Sequence, residues 1–379
     1  DGRKGGEITG QRMHLADLPT PCLILDRGIL ERNLRRMSDT VHRHGVALRP
    51  HLKTAKSADV ARLATSGEAG GITVSTLAEA EYFADHGFRD IMIANALPPA
   101  KLTRGEALAL EGVTVTLVTD DVAMAFAIAA HPGAFRVLVE VDSGDRRAGV
   151  MSDSDTLIEV ATALGDKLAG VMTHAGHSYS CRNIECVAGI AEDERRTVVN
   201  AATRLRDAGL KCDVVSVGST PTMTHARNLD GVTEARPGVY MFQDLFQAEI
   251  GSCDKSDIAV TVLASVIGRN VDAKRVLIDA GAIALSKDRS TQATDHDAGY
   301  GEIRDITNRY GFGTCTVDRA YQEHGSASCL VEALDKLTIG TKVRVAPNHA
   351  CLTAAAHDRY YVVDGGSEVI DVWDRVNGW

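Results

Sequence analysis

A few short stretches of this chain carry side chains able to do chemistry. In "APNHACLT" (346–353), His349 and Cys351 stand two residues apart, just after an alternating run that ends near Val345. The side-chain period of an extended segment is two, so the imidazole and thiolate would share one face and suit a divalent metal, zinc first and magnesium or manganese next. Two protein ligands leave open positions, as a catalytic metal needs. The same pair also reads as a buried cysteine beside a loop histidine. "RPHLKTAK" ends an apolar run on Lys53. A lysine aimed inward is costly unless paired or used covalently, and desolvation with a neighbouring cation such as Arg49 would lower its pKa toward that of a Schiff-base amine. A solvated or ion-paired lysine is the plainer alternative. His174 ends a run in "MTHAGHSY", where its ring could stack on a flat cofactor, act as a base or simply hydrogen-bond at a rim. "VGSTPT" offers Gly218, Ser219 and Thr220 before a Pro-started segment, and "ARPGVY" sets Gly238 after Arg236. Both are compatible with a phosphate held by backbone N–H groups.

These residues fall at the ends of short apolar runs that alternate with segments of helical period. The runs are "VALRPHLK" (46–53), "GITVST" (71–76), "IMIANA" (91–96), "VTVTLVT" (113–119), "FRVLVEVDSG" (135–144), "LAGVMTHAG" (168–176), "CDVVSVGST" (212–220) and "GVTEARPGVYMF" (231–242). Eight strands in series predict an α/β fold of the (β/α)₈ TIM-type barrel, whose chemistry sits where the strands end. Helices are expected between them, for example over 27–44 and over 77–86 closed by Gly87. A doubly wound sheet would need a GxGxxG turn after an early strand, and none occurs there. From about Ser256 the texture changes to β-rich runs such as "IAVTVLASVIG", "KVRVAP" and "YYVVDGG", which predict a second, mainly β domain.

Composition narrows the partners. The chain has 379 residues, more than one core usually spans, so two domains are expected. Its net charge of −10 and the absence of basic runs argue against nucleic acid, and no apolar run is long enough to span a membrane. The eight cysteines show no CxxC spacing, so a disulfide framework is not expected and the reading is a reducing, cytoplasmic compartment. The polar, Gly-rich opening "DGRKGGEITGQR" reads as an added leader, with Met13 as a native start.

The stretches "TPCLILD", "RPHLKTAK", "THAGHSY", "VSVGSTPT", "RPGVYMFQD", "IDAG", "QEHG" and "PNHACLT" together resemble the D-serine dehydratase, D-threo-3-hydroxyaspartate dehydratase and D-threonine aldolase group of alanine-racemase-like, fold-type III pyridoxal-phosphate enzymes. The resemblance implies a cofactor-binding barrel over 27–250 and a mainly β domain over 14–26 and 251–379 that carries the metal site. It makes Lys53 the Schiff-base lysine and packs His174 on the cofactor ring. Arg147 would lie near the phenolic oxygen and Arg236 near the ring nitrogen, while Gly218, Ser219, Thr220, Gly238 and Val239 would hold the phosphate. Tyr179 and Tyr240 would line the site, His349 and Cys351 would bind the metal, and the assembly would be a homodimer. The implied reaction is elimination of the 3-hydroxyl from a D-3-hydroxy amino acid to give a 2-oxo acid and ammonia. Aldolases of the group carry His-x-Asp where this chain has His-x-Cys, which favours the dehydratase over retro-aldol cleavage. A pyridoxal-phosphate-binding regulatory protein is a further alternative, and so is a racemase using Tyr300, Tyr310 or Tyr321 as a second base. Lys287 or Arg289 in "SKDRST" would suit a substrate's second carboxylate.

Overall fold

The structure, a computed structural model, describes residues 13–379, so the expected leader at 1–12 lies outside it. The chain divides into two units.

The first strand, β1 (Cys22–Asp26), belongs to the β-rich unit, and the strands that follow build the barrel. These are β2 (Ala47–Leu48), β3 (Ile72–Val74), β4 (Asp90–Ile93), β5 (Thr114–Thr119), β6 (Phe135–Glu140), β7 (Leu168–Met172), β8 (Val214–Val217) and β9 (Glu234–Ala235). All neighbours are parallel, in the order β2-β9-β8-β7-β6-β5-β4-β3. Each of the eight runs yields one strand, because a parallel strand covered on both faces must be apolar along its whole length. The ends of the sheet meet through a bridge between His51 and Thr73, where Leu52 N–H donates to Thr73 O (2.8 Å) and Thr73 N–H to Pro50 O (2.9 Å). Pro50 has no N–H to give, which limits β2 to two residues while its carbonyl still closes the ring. Met92, Val118, Leu138, Ala169 and Met172 pack into one apolar layer. The helices begin where capping chemistry allows. The helix Leu77–Asp85 starts at Thr76, whose Oγ1 accepts Glu79 N–H (3.1 Å), and the chain turns away at Gly87 with φ +95°.

The β-rich unit holds residues 13–30, 258–292 and 297–373. Its later strands are β10 (Val260–Asn270), β11 (Arg275–Ile278), β12 (Gly301–Arg304), β13 (Cys315–Ala320), β14 (Gly325–Cys329), β15 (Lys342–Pro347), β16 (Arg359–Val363) and β17 (Asp371–Asp374). The antiparallel order β11-β14-β13-β12-β15-β10 closes on itself through β10–β11 pairing. Closure removes the sheet edges that would otherwise invite aggregation. Beyond β10 the sheet continues through β1, β16 and β17, with Cys22 to Leu25 opposite Leu263 to Val260. Leu15, Leu18, Ile24, Leu263 and Val363 form the core of this extension. Residues 251–257 and 374–379, expected in the β domain, pack with the barrel instead. Asp257 pairs with Arg36 (2.7 Å), Arg375 Nε donates to Ala55 O (3.1 Å), and Val376 N–H donates to Lys56 O (2.8 Å).

The cysteine expectation is corrected. Cys315 and Cys329 are register partners on β13 and β14, with Cα atoms 4.4 Å apart, and form a disulfide. Cys181 and Cys186 form a second, with Cα atoms 5.7 Å apart across a sharp turn into the helix Ile184–Asp207. Pairings of this kind are set by register and turn geometry, which cysteine spacing alone does not reveal.

Candidate active site

The strand ends converge on a cavity of about 350 Å³ within the barrel unit. Lys53 enters it two residues beyond the His51 bridge, Ser75 follows β3, Asn95 follows β4, Glu140 ends β6, His174 follows β7, Gly218 follows β8 and Arg236 follows β9. Arg147, on the loop after β6, completes the wall. The Lys53 side chain forms no hydrogen bond or ion pair with any described residue. Arg49 cannot act as the neighbouring cation, because it is buried between Glu234 (2.8 Å) and Asp90 (3.0 Å), which compensate its charge.

His174 Nδ1 lies 3.0 Å from Gly218 O. A carbonyl only accepts, so Nδ1 carries the hydrogen and Nε2 is the bare nitrogen. Burial, with the Lys53 charge second, pushes the imidazole down to about 3, so the ring is neutral. His51 lines the same cavity and is held well below the ordinary histidine range, chiefly by burial, while its Nδ1 has no partner among the described residues. The signal for His51 was its place at the end of the same apolar run, two residues before Lys53. Arg236 is buried, donating to Thr173 O (2.6 Å) and to Ser216 Oγ, and burial opposes its charge while Glu234, Glu194 and Glu140 support it. Arg147 is exposed at the rim, 4.0 Å from Glu140, whose pKa burial raises.

These neutral histidines make stability depend on pH. Their folded-state values lie below that of free imidazole, about 6.5, so the unfolded chain takes up protons first as pH falls. Their contribution is full above about pH 6.5 and drains away as pH falls, for His174 down to about pH 3, at up to about 1.4 kcal/mol per pH unit for each. Urea unfolding from pH 7.5 to 4.5 should therefore show a shallower loss in His174→Gln than in wild type. Equal slopes would refute a neutral His174.

The expected phosphate positions are only partly available. Ser219 is consumed by a capping box at the helix Thr220–His225, its Oγ accepting Thr222 N–H (3.3 Å) and its own N–H reaching Thr222 Oγ1 (3.1 Å). Thr220 Oγ1 accepts Tyr240 N–H (3.0 Å), which draws this helix start against the turn Val239–Met241. The N–H groups of Thr220, Gly238 and Val239 meet no acceptor among the described residues, so two adjoining turns present bare donors of the kind that hold an anion. A Cβ on Gly238 would stand 2.8 Å from His51 O, so only glycine lets the two backbones approach. These groups fit a phosphorylated cofactor. Tyr179 and Tyr240 do not line the cavity: Tyr179 stacks on Phe246 with centroids 6.1 Å apart, and Tyr240 borders a separate small void with Asn33 and Gln243.

In the β-rich unit, His349 and Cys351 do not lie on an extended segment. His349 begins a helix, Ala350–Ala354, and Thr353 N–H donates back to His349 O (3.1 Å), so Cys351 sits in the first turn. His349 Nδ1 is 2.6 Å from Asp288 Oδ2, a carboxylate–histidine pair that orients an imidazole toward a metal through Nε2. Among the described residues no third His, Cys, Asp or Glu completes a cluster with them. The donor set fits an ion that keeps positions open. Lys287 and Arg289 are already engaged: Lys287 donates to Ala320 O (3.0 Å), and Arg289 pairs with Asp297 and lies over the Tyr300 ring (5.5 Å). Of the tyrosines considered as a second base, Tyr310 donates to Glu302 (2.8 Å) and is pushed up to about 12, mainly by burial.

Residues 25–245 match the model of the "Alanine racemase, N-terminal domain", and residues 259–363 match the "Putative serine dehydratase domain". The chain belongs to this family. Within the alanine-racemase-like family, a D-threo-3-hydroxyaspartate dehydratase from Delftia sp. (strain HT23) is 41% identical, covering 96% of this chain and 99% of that protein. A D-serine dehydratase from Dictyostelium discoideum is 30% identical over 96% and 98%. A 3-hydroxy-D-aspartate aldolase from Paracoccus denitrificans is also 30% identical, over 95% and 92%. The structure of a cysteine-to-alanine variant of a D-threo-3-hydroxyaspartate dehydratase in its metal-free form superimposes with a TM-score of 0.93, at 40% identity over 97% of this chain and 100% of that one. The alanine-racemase-like architecture is thus that of this chain, and its characterised relatives are lyases. Among the described residues, no helix is long and apolar enough to cross a membrane.

Proposed function

We propose that this protein is a pyridoxal-phosphate- and metal-dependent lyase that removes the 3-hydroxyl of a D-3-hydroxy amino acid, releasing a 2-oxo acid and ammonia. The observation that carries the reading is the unpartnered Lys53 amine in a barrel-mouth cavity, beside a neutral His174 and bare N–H groups of two adjoining turns. Relatives that act on D-threo-3-hydroxyaspartate and D-serine support the substrate class. Pyridoxal phosphate, when bound, supplies a carbonyl that links covalently to an amine and a ring that accepts electrons released at Cα. A metal on His349 and Cys351 would supply Lewis-acid help to the departing hydroxyl.

The chain's own residues do the rest. Lys53 Nζ would hold the cofactor covalently and, as a free amine, would take the Cα proton. His174, with Nδ1 tied to Gly218 O, offers a flat uncharged face that does not compete with Lys53 for that proton. The N–H groups of Thr220, Gly238 and Val239 receive the phosphate. The Arg147 guanidinium, exposed at the rim, would balance negative charge on the ring oxygen. Loss of water followed by hydrolysis of the released enamine conserves atoms, leaving one 2-oxo acid and one ammonia per substrate.

Incubation with D-serine, D-threonine and D-threo-3-hydroxyaspartate, assaying 2-oxo acid and ammonia against glycine, tests the proposal. Equal 2-oxo acid and ammonia without glycine is expected, and glycine as the main product would sink it. The Asp288 contact makes a separate prediction. Asp288→Asn should weaken metal binding by about 10–100-fold, the usual cost of losing a carboxylate behind a ligating histidine. Metal content after dialysis against graded chelator would show it, and unchanged retention would remove Asp288 from the site.

A further inference from the structure

The helix Ile184–Asp207 buries a stripe made of Val187, Ala191, Glu194, Val198, Ala201 and Leu205. All but one are apolar. At helical spacing Glu194 belongs to the face turned toward the sheet, and its side chain has 0% exposure. Leucine or alanine would fill such a position, whereas a carboxyl buried with no ion pair costs several kcal/mol unless hydrogen bonds recover it. Glu194 Oε1 accepts from Ala175 N–H (3.1 Å) and from Gly218 N–H (3.1 Å), while Oε2 has no partner among the described residues.

Those two donors sit on different loops. Ala175 follows His174 on the loop after β7, and Gly218 precedes Ser219 and Thr220 on the loop after β8. The loops touch again where His174 Nδ1 meets Gly218 O (3.0 Å) and where Ser178 Oγ meets Ser219 Oγ (3.2 Å). Gly218 holds φ +126°, and the Val217–Gly218 peptide is held on both sides, its N–H by Glu194 (3.1 Å) and its carbonyl by Arg236 N–H (2.8 Å). We infer that Glu194 is a positioning residue for the cofactor site: from outside the cavity it locks the His174 ring and the Thr220 turn into one register through the Ala175 and Gly218 N–H groups. This rests on the reading of the cavity as a pyridoxal-phosphate site.

The test measures cofactor affinity and geometry in the full chain. Glu194→Gln keeps a carbonyl oxygen for both N–H groups and should leave the pyridoxal phosphate Kd within about threefold of wild type. Glu194→Leu removes the acceptor, and Glu194→Asp withdraws it by one methylene. Each should raise Kd by about tenfold or more, as expected when two hydrogen bonds to one buried acceptor are lost. The same two variants should alter the visible circular dichroism of the bound cofactor, which reports ring orientation, whereas glutamine should restore it. A purely structural glutamate would lower the thermal midpoint without moving Kd or that spectrum, and this result would overturn the inference. Glutamine as weak as leucine would also overturn it. If Glu194→Leu does not fold, Glu194→Asp decides alone. Failure of wild type to bind the cofactor would overturn the site reading and this inference together, whereas tight binding by wild type and both disruptive variants would overturn the inference only.

Discussion

Lys53→Ala should lower elimination from D-3-hydroxy amino acids by about 10³–10⁴-fold, because one side chain is asked both to hold the cofactor and to move the Cα proton. The variant should fold, since Lys53 is exposed within the cavity and contributes nothing to the buried core. Its spectrum should lose the visible band of a lysine-linked cofactor while the phosphate-binding turns still retain pyridoxal phosphate, so binding persists with chemistry removed. A small amine added from solution should restore part of the proton transfer, whereas it should do nothing for wild type. There is also an electrostatic consequence. The Lys53 charge is the second cause, after burial, of the low His174 and His51 values, so its removal should let both imidazoles titrate at higher pH. Nuclear magnetic resonance of the histidine ring protons would show that shift. A variant that keeps the visible band and turns over normally would end the assignment.

How far the sequence revealed this site depends on the length scale of each interaction. Lys53, His174, Gly218 and Arg236 were legible because a parallel strand announces itself by a short apolar run, and the fold then puts whatever ends that run at the mouth. Eight runs gave eight strands for the same reason. What failed was of two kinds. Local backbone choice turned "NHACLT" into a helix start and closed Ser219 into a capping box, although hydroxyl and imidazole spacing alone fits an extended or open arrangement equally well. Distant pairing hid the rest. The partners of Arg49 are Asp90 and Glu234, the partners of Glu194 are backbone groups on two loops, and Cys315 meets Cys329 through strand register. Glu194 still left a trace, as the one carboxylate in an apolar helical stripe.

Cys351→Ala is expected to cost elimination about 10²–10³-fold, the several kcal/mol that Lewis-acid help to a poor leaving group is worth. Hydroxide leaves badly on its own, so the loss should fall on kcat, with the lysine-linked visible band intact because the barrel residues are unchanged. Metal content should fall in parallel. His349→Ala should behave alike, and the double variant should be little worse than either, since ligands of one ion act as a unit. Chelation of wild type should reproduce the loss, and zinc, manganese and magnesium added back separately would rank the ions the site accepts. The partition of products then separates the two reactions open to this constellation. Elimination gives equal 2-oxo acid and ammonia, whereas carbon–carbon cleavage gives glycine and an aldehyde, and the metal could assist either. The higher identity to a D-threo-3-hydroxyaspartate dehydratase (41%) than to a 3-hydroxy-D-aspartate aldolase (30%) favours the first outcome. Full activity in metal-stripped protein would remove the ion from the mechanism, and glycine released faster than ammonia would move this chain to the aldolase side of its family.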